Sequence, residues 1–135
     1  MSRREVEPDY KRLLQFRTGL RRFLRWSEEQ AKKAGLTAAQ YQLLLAVRGH
    51  DGDLGPTIGD VAGYLLLRHH SAVGLVDRAV RAGWVERGED PEDRRVVRLR
   101  LTAKGQEILQ KLASLHLKEV ERLTPLVQAI SAARE

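Results

Sequence analysis

The sequence predicts a mainly helical fold with one small β hairpin. Three observations carry this. Apolar residues recur at 3.6-residue spacing over most of the chain. Capping signals stand at the starts of several periodic segments. The period shortens to two only between residues 84 and 101, where charged turn residues separate two short runs. A chain of 135 residues has room for a single domain.

Residues 9–34 read as a first helix, with Leu13, Phe16, Leu20, Phe23, Leu24, Ala31 and Ala34 on one face and Arg17, Arg21, Arg25 and Lys32 on another. Gly35 is the expected stop. Thr37 and Gln40 form a capping box that opens a second helix through Arg48. A polar loop over 49–56 includes the turn Asp51-Gly52-Asp53, which falls short of a calcium loop. Thr57 and Asp60 repeat the box and open a short third helix to about Leu66. Residues 69–82 read as a fourth helix ending at Gly83. Ala72, Leu75, Val76, Ala79 and Ala82 share one face, and His70, Val73, Gly74, Asp77 and Arg81 the other. Asp77 and Arg81 have the i,i+4 spacing of a supporting ion pair.

Residues 84–87 can form a short strand. Val97, Leu99 and Leu101 alternate with Val96, Arg98 and Arg100, as in a half-buried strand with its arginines outward. Residues 88–94 form the charged tip between them, where Asp90 or Asp93 can pair with Arg94 or Arg95. Thr102 caps a fifth helix running to about Arg122, and Thr124-Pro125 is the pattern that opens a sixth. Phe16, Phe23 and Trp84 are expected in the core. The first, fifth and sixth helices carry more apolar surface than one small core covers, which suggests burial against a second chain.

Composition narrows the function. The chain is 42% hydrophobic and 31% charged, the balance of a soluble globular domain. It has no cysteine, which excludes disulfides, thiolate metal sites and cysteine catalysis. No apolar run approaches the ~20 residues of a membrane span, and no apolar stretch follows the first charges as in a secretory signal. The expected compartment is the cytoplasm. No nucleophile elbow, P-loop, zincin or dinucleotide fingerprint is present, so an enzyme is not expected. The net charge of +6 and pI near 10.1 favour a polyanion partner. Every basic residue in 68–100 is Arg, the type suited to bidentate phosphate and guanine contacts.

Residues 57–101 therefore read as helix, turn, second helix and hairpin: a helix-turn-helix with a wing. A helix enters the major groove only if one face packs on a core while the other stays free for base edges. The fourth helix has that division. A hairpin beside it can reach the backbone or the minor groove, where Arg is favoured.

The stretches Leu75-Val76-Asp77-Arg78, Gly83-Trp84-Val85-Glu86-Arg87, Asp90-Pro91-Glu92-Asp93-Arg94-Arg95 and Leu101-Thr102-Ala103-Lys104-Gly105 resemble, in order and spacing, the MarR family of bacterial transcriptional regulators. The resemblance covers roughly 9–130 and is strongest over 57–105. It implies a homodimeric winged helix-turn-helix repressor that reads a pseudo-palindromic double-stranded operator. Residues 1–35 and 102–135 would form the dimerisation region and 36–101 the DNA-binding domain. It also implies a small aromatic or lipophilic effector between the two parts.

The candidate DNA-binding residues are Arg68, His69, His70, Ser71, Gly74, Arg78, Arg81, Arg94 and Arg95. Arg68 stands where the family usually has a Ser or Thr cap. Gly74 could allow close approach to DNA. Arg98 and Arg100 read as a solvated face near phosphate. Arg3, Arg4, Lys11 and Arg12 read as a solvated tail. Trp26, Tyr41 and His116 are candidates for lining an effector cavity, against a plain packing role. No cofactor or metal is expected, since adjacent His69 and His70 point ~100° apart on a helix and no Cys or Glu cluster accompanies them. The competing function is a winged-helix protein–protein interaction module without sequence-specific DNA binding.

Overall fold

In a computed structural model, residues 6–132 are described. The order is α1 (Tyr10–Lys33), α2 (Ala38–Gly49), α3 (Ile58–Leu65), α4 (His69–Arg81), β1 (Val85–Glu89), β2 (Val97–Leu101) and α5 (Ala103–Ala132). Arg3 and Arg4 lie outside the described residues. Lys11 and Arg12 are helical rather than tail, because Asp9 caps α1 by accepting from the Arg12 backbone N–H.

Local chemistry sets these boundaries. Both capping boxes form. The Thr37 hydroxyl accepts from the Gln40 N–H at 3.1 Å and the Gln40 side chain accepts from the Thr37 N–H at 2.9 Å. Thr57 and Asp60 exchange the same bonds at 3.1 and 2.9 Å. Gly83 ends α4 at φ +81°, a left-handed conformation that costs glycine little. The Gly83 and Trp84 N–H groups then bond back to the Val80 and Ala79 carbonyls, so the chain leaves the helix straight into β1.

β1 and β2 pair antiparallel with Val85 opposite Leu101 and Glu89 opposite Val97. The hairpin is fixed to the helices at its open end. Thr102 donates its hydroxyl to the Gly83 carbonyl at 2.6 Å and accepts from the Gly105 N–H at 3.0 Å, capping α5. A side chain at 105 would overlap the Trp84 carbonyl, so the last residue of the Leu101–Gly105 motif must be glycine. Lys104 adds a bond to the Ala82 carbonyl at 3.0 Å. This motif is a structural clamp between α4, the wing and α5.

The core lies between α2, α3, α4, the wing and the first turns of α5. Leu43, Leu44, Val61, Val76, Val85 and Leu99 are fully buried, with Leu75, Ala79, Leu109 and Leu112 around them. Trp84 packs half-buried against this cluster.

Two expectations are corrected. The sixth helix is not separate: α5 runs on through Pro125. The Thr124 hydroxyl bonds back to the Val120 carbonyl at 3.1 Å instead of capping forward. Phe16 is not core. It is half-exposed on α1, along with Tyr10, Leu13, Leu14, Leu20 and Leu24. On α5, Leu115, Leu117, Val120 and Val127 are exposed to a similar degree. Between these helices runs a groove of about 290 Å³ lined by Phe16, Leu20, Phe23, Val120, Leu123 and Val127 among others. Among the described residues, no helix is long and apolar enough to cross a membrane.

Candidate nucleic-acid interface

α4 splits as its sequence required. Ala72, Leu75, Val76 and Ala79 are buried, while Arg68, His69, His70, Ser71, Arg78 and Arg81 are exposed. Arg68 is the N-cap, in extended conformation and without a side-chain capping bond, so its guanidinium is not spent on the helix end. Gly74 is half-buried on the same helix. A Cβ there would meet only the flexible end of Arg78 at 3.4 Å, so glycine is not demanded by packing and keeps the middle of the helix low.

Asp77 does not pair with Arg81 along the helix. It pairs with Arg87 on β1, a residue on the first strand of the wing. This bridge links α4 to the wing. Among the described residues it leaves Arg81 with no ion pair at all, and Arg78 likewise has none.

The wing tip is organised by two aspartates. Asp90 is nearly buried, and its Oδ1 accepts from the Glu92 and Asp93 N–H groups at 2.8 and 3.1 Å. Its Oδ2 accepts from Arg98 Nε at 2.8 Å. Arg98 also donates to the Gly55 carbonyl at 3.2 Å. Bonds to the backbone of Glu92 and to Arg98 hold the Asp90 carboxyl below the usual carboxylate range. Asp93 accepts from the Arg95 backbone N–H at 3.0 Å and from its Nε at 3.2 Å, which lowers its pKa too.

Arg94 and Arg95 thus stand on a turn whose backbone is fixed from below. The Arg95 side chain is 91% exposed although Asp93 grips its stem end. Arg94 is exposed and makes no ion pair among the described residues. Arg98 was expected outward and solvated. It is instead tied under the tip, because a loop 43 residues away in sequence covers that side of β2. Arg100 pairs with Glu86 across the hairpin at 2.7 Å and stays exposed. Asp90 and Arg98 are therefore positioning residues that sequence reasoning missed. The available signal was an acid and an arginine bracketing the tip at its two strand ends.

Trp26, Tyr41 and His116 come together at the junction of α1, α2 and α5. His116 is buried and stacks on Tyr41 with ring centroids 4.4 Å apart. Trp26 meets it edgewise at 4.9 Å and Phe23 at 6.1 Å. The Leu112 carbonyl, 2.7 Å from His116 Nδ1, can only accept, so Nδ1 carries the proton. In the neutral ring Nε2 then accepts from the Ser27 hydroxyl at 2.6 Å. Burial raises the Tyr41 pKa. Phe23 is shared between this cluster and the α1–α5 groove.

A two-helix unit with an exposed, Arg- and His-bearing second helix and an Arg-tipped hairpin beside it defines a winged helix-turn-helix protein. Residues 34–96 match the family model described as MarR family. A Bacillus subtilis (strain 168) protein, named as an uncharacterized HTH-type transcriptional regulator YsmB, is 41% identical over 61 residues, which are 45% of this chain and 40% of that protein. The transcriptional activatory protein BadR of Rhodopseudomonas palustris (strain ATCC BAA-98 / CGA009) is 33% identical over 79 residues, covering 58% of this chain and 45% of BadR. These matches thus span less than half the length of either relative.

Over nearly the whole chain the fold matches the multiple antibiotic resistance repressor MarR, with 26% identity and a TM-score of 0.71 over 96% of this chain and 91% of that one. It also matches a Staphylococcus aureus MepR–DNA complex, with 22% identity and a TM-score of 0.70 over 89% and 85% of the two chains. The family match thus covers a little under half of this chain, while the likeness in fold extends over nearly all of it.

Proposed function

We propose that the chain is a sequence-specific double-stranded-DNA-binding transcriptional regulator acting as a homodimer. The observation that carries this reading is the division of α4. One face is committed to the core, while the other presents Arg68, His69, His70, Ser71, Arg78 and Arg81. That helix would lie in the major groove, with Gly74 allowing close approach, while Arg94 and Arg95 reach phosphate or the minor groove. The match of residues 34–96 to the MarR family model and the MepR–DNA complex of similar fold favour DNA over a protein partner.

The exposed apolar faces of α1 and α5 support pairing of two copies through residues 1–35 and 102–135, with 36–101 as the DNA-binding part. Pairing would place two recognition helices about one helical turn apart on a pseudo-palindrome. Repression follows from occupying a promoter. The name of BadR favours activation as the second reading, and a reporter gene downstream of the site separates the two by the sign of its response.

The reading includes an effector. An aromatic or lipophilic molecule entering beside Phe23 would disturb the Trp26–Tyr41–His116 stack and change how α2 sits on α1 and α5. It would shift the dimer towards a spacing that no longer fits DNA. The test is selection from a random duplex pool combined with sedimentation. A dimer retaining duplexes that share an inverted repeat supports the proposal. A monomer, or a retained pool indistinguishable from the input, sinks it.

A further inference from the structure

Leu66 violates two rules at once. It is the C-cap of α3, at φ 55° and ψ 44°, and among the described residues it is the one non-glycine position with positive φ. A branched apolar side chain is strained there, and glycine or asparagine is the usual occupant. It is also 91% exposed, whereas its neighbours Leu65 and Leu67 pack half-buried against the core. Folding gains nothing from this side chain, and a glycine at 66 would remove both costs. Residues that break local rules without a packing return are the ones to examine for function.

The turn holding Leu66 is fixed, with the Leu67 N–H bonded to the Ala62 carbonyl at 2.9 Å. It leads directly into the end of α4 that carries Arg68, His69 and His70. Chain geometry alone keeps Leu66 within about 10 Å of His69. We infer that Leu66 is a DNA-contacting residue that makes an apolar contact beside the first turn of α4. The side chain has no polar atom, so it can rest only on apolar groups of the duplex. These are the C5-methyl of thymine, exposed in the major groove, or a deoxyribose. This inference rests on the DNA-binding reading above.

The signature is a pair of effects with opposite sign. Leu66→Gly and Leu66→Asn should melt at or above the wild-type temperature. Both should weaken binding to a selected duplex about tenfold, the loss expected from one apolar side chain leaving the duplex at each half-site. Leu66→Met, which keeps an apolar side chain of similar size, should bind within about twofold of wild type. Binding is read by fluorescence anisotropy on the selected duplex and on copies with deoxyuridine replacing one thymine at a time. If the thymine methyl is the contact, one such replacement weakens wild type and leaves Leu66→Gly unchanged. If deoxyribose is the contact, Leu66→Gly loses the same factor on every duplex. The inference is overturned if Leu66→Gly binds as tightly as wild type, or if Leu66→Met loses as much as Leu66→Gly. A wild-type chain that held no duplex would overturn the DNA-binding reading and this inference together.

Discussion

Arg95→Ala separates a DNA-reading wing from a merely charged one. The side chain is 91% exposed and its partner Asp93 also bonds the Arg95 backbone N–H, which the substitution leaves in place. Asp90, Arg98 and the Gly55 carbonyl continue to hold the tip. Stability should therefore change little, with Tm within about 3 °C of wild type, as for an exposed substitution. DNA affinity should fall steeply. An Arg contacting DNA directly contributes about 1–3 kcal/mol, and a dimer presents it twice, so the loss is about 2–6 kcal/mol. That is at least ~30-fold in Kd. Anisotropy titrations on a selected duplex at several salt concentrations supply the second readout. If Arg95 touches phosphate, the slope of log K against log salt flattens by about 0.9 for each phosphate that is no longer neutralised. A variant that melts normally and binds within twofold of wild type at every salt concentration would refute the reasoning.

Three further outcomes follow from the same geometry. Leu20→Glu, on the exposed apolar face of α1, should leave the chain folded by circular dichroism but convert a dimer to a monomer in sedimentation; an unchanged dimer would place the interface elsewhere. His116→Ala removes a buried ring with both nitrogens bonded, and should cost about 3 kcal/mol, a fall in Tm of about 10 °C, with a changed Trp26 emission. No change in either signal would contradict the packed cluster. The bonds of Asp60 to Thr57 lower its carboxyl pKa in the fold, so its stabilising effect is fully present above the unfolded value and fades as pH falls through the folded one. Asp60→Ala should thus melt below wild type at pH 7, with the gap closing below about pH 4, and a gap independent of pH would contradict the capping role.

What the sequence disclosed was what short-range chemistry decides. Thr37 with Gln40 and Thr57 with Asp60 are bonds between residues three apart, so the starts of α2 and α3 were readable without tertiary information. The buried face of α4 followed from periodicity, because Ala72, Leu75, Val76 and Ala79 can only point one way on a helix. Arg98 was misread because alternation along a strand says which residues share a side, not what covers it. Asp77 chose Arg87 over Arg81 for a similar reason, since the wing folds back beside α4. Thr124-Pro125 has the pattern of a helix start, but the Thr124 hydroxyl bonds backwards and the helix continues. Asp90 is legible in the sequence as an acid at the tip, but its burial depends on Arg98, which also bonds the distant Gly55 carbonyl.

The central claim is that the exposed face of α4 enters the major groove in two symmetric copies. Methylation interference on a selected duplex tests it most directly, because dimethyl sulfate marks guanine N7 in that groove. The account predicts two clusters of interfering guanines about one helical turn apart, related by a two-fold axis. Tight binding that tolerates methylation at every guanine N7, on sites where guanines occupy both half-sites, would contradict it.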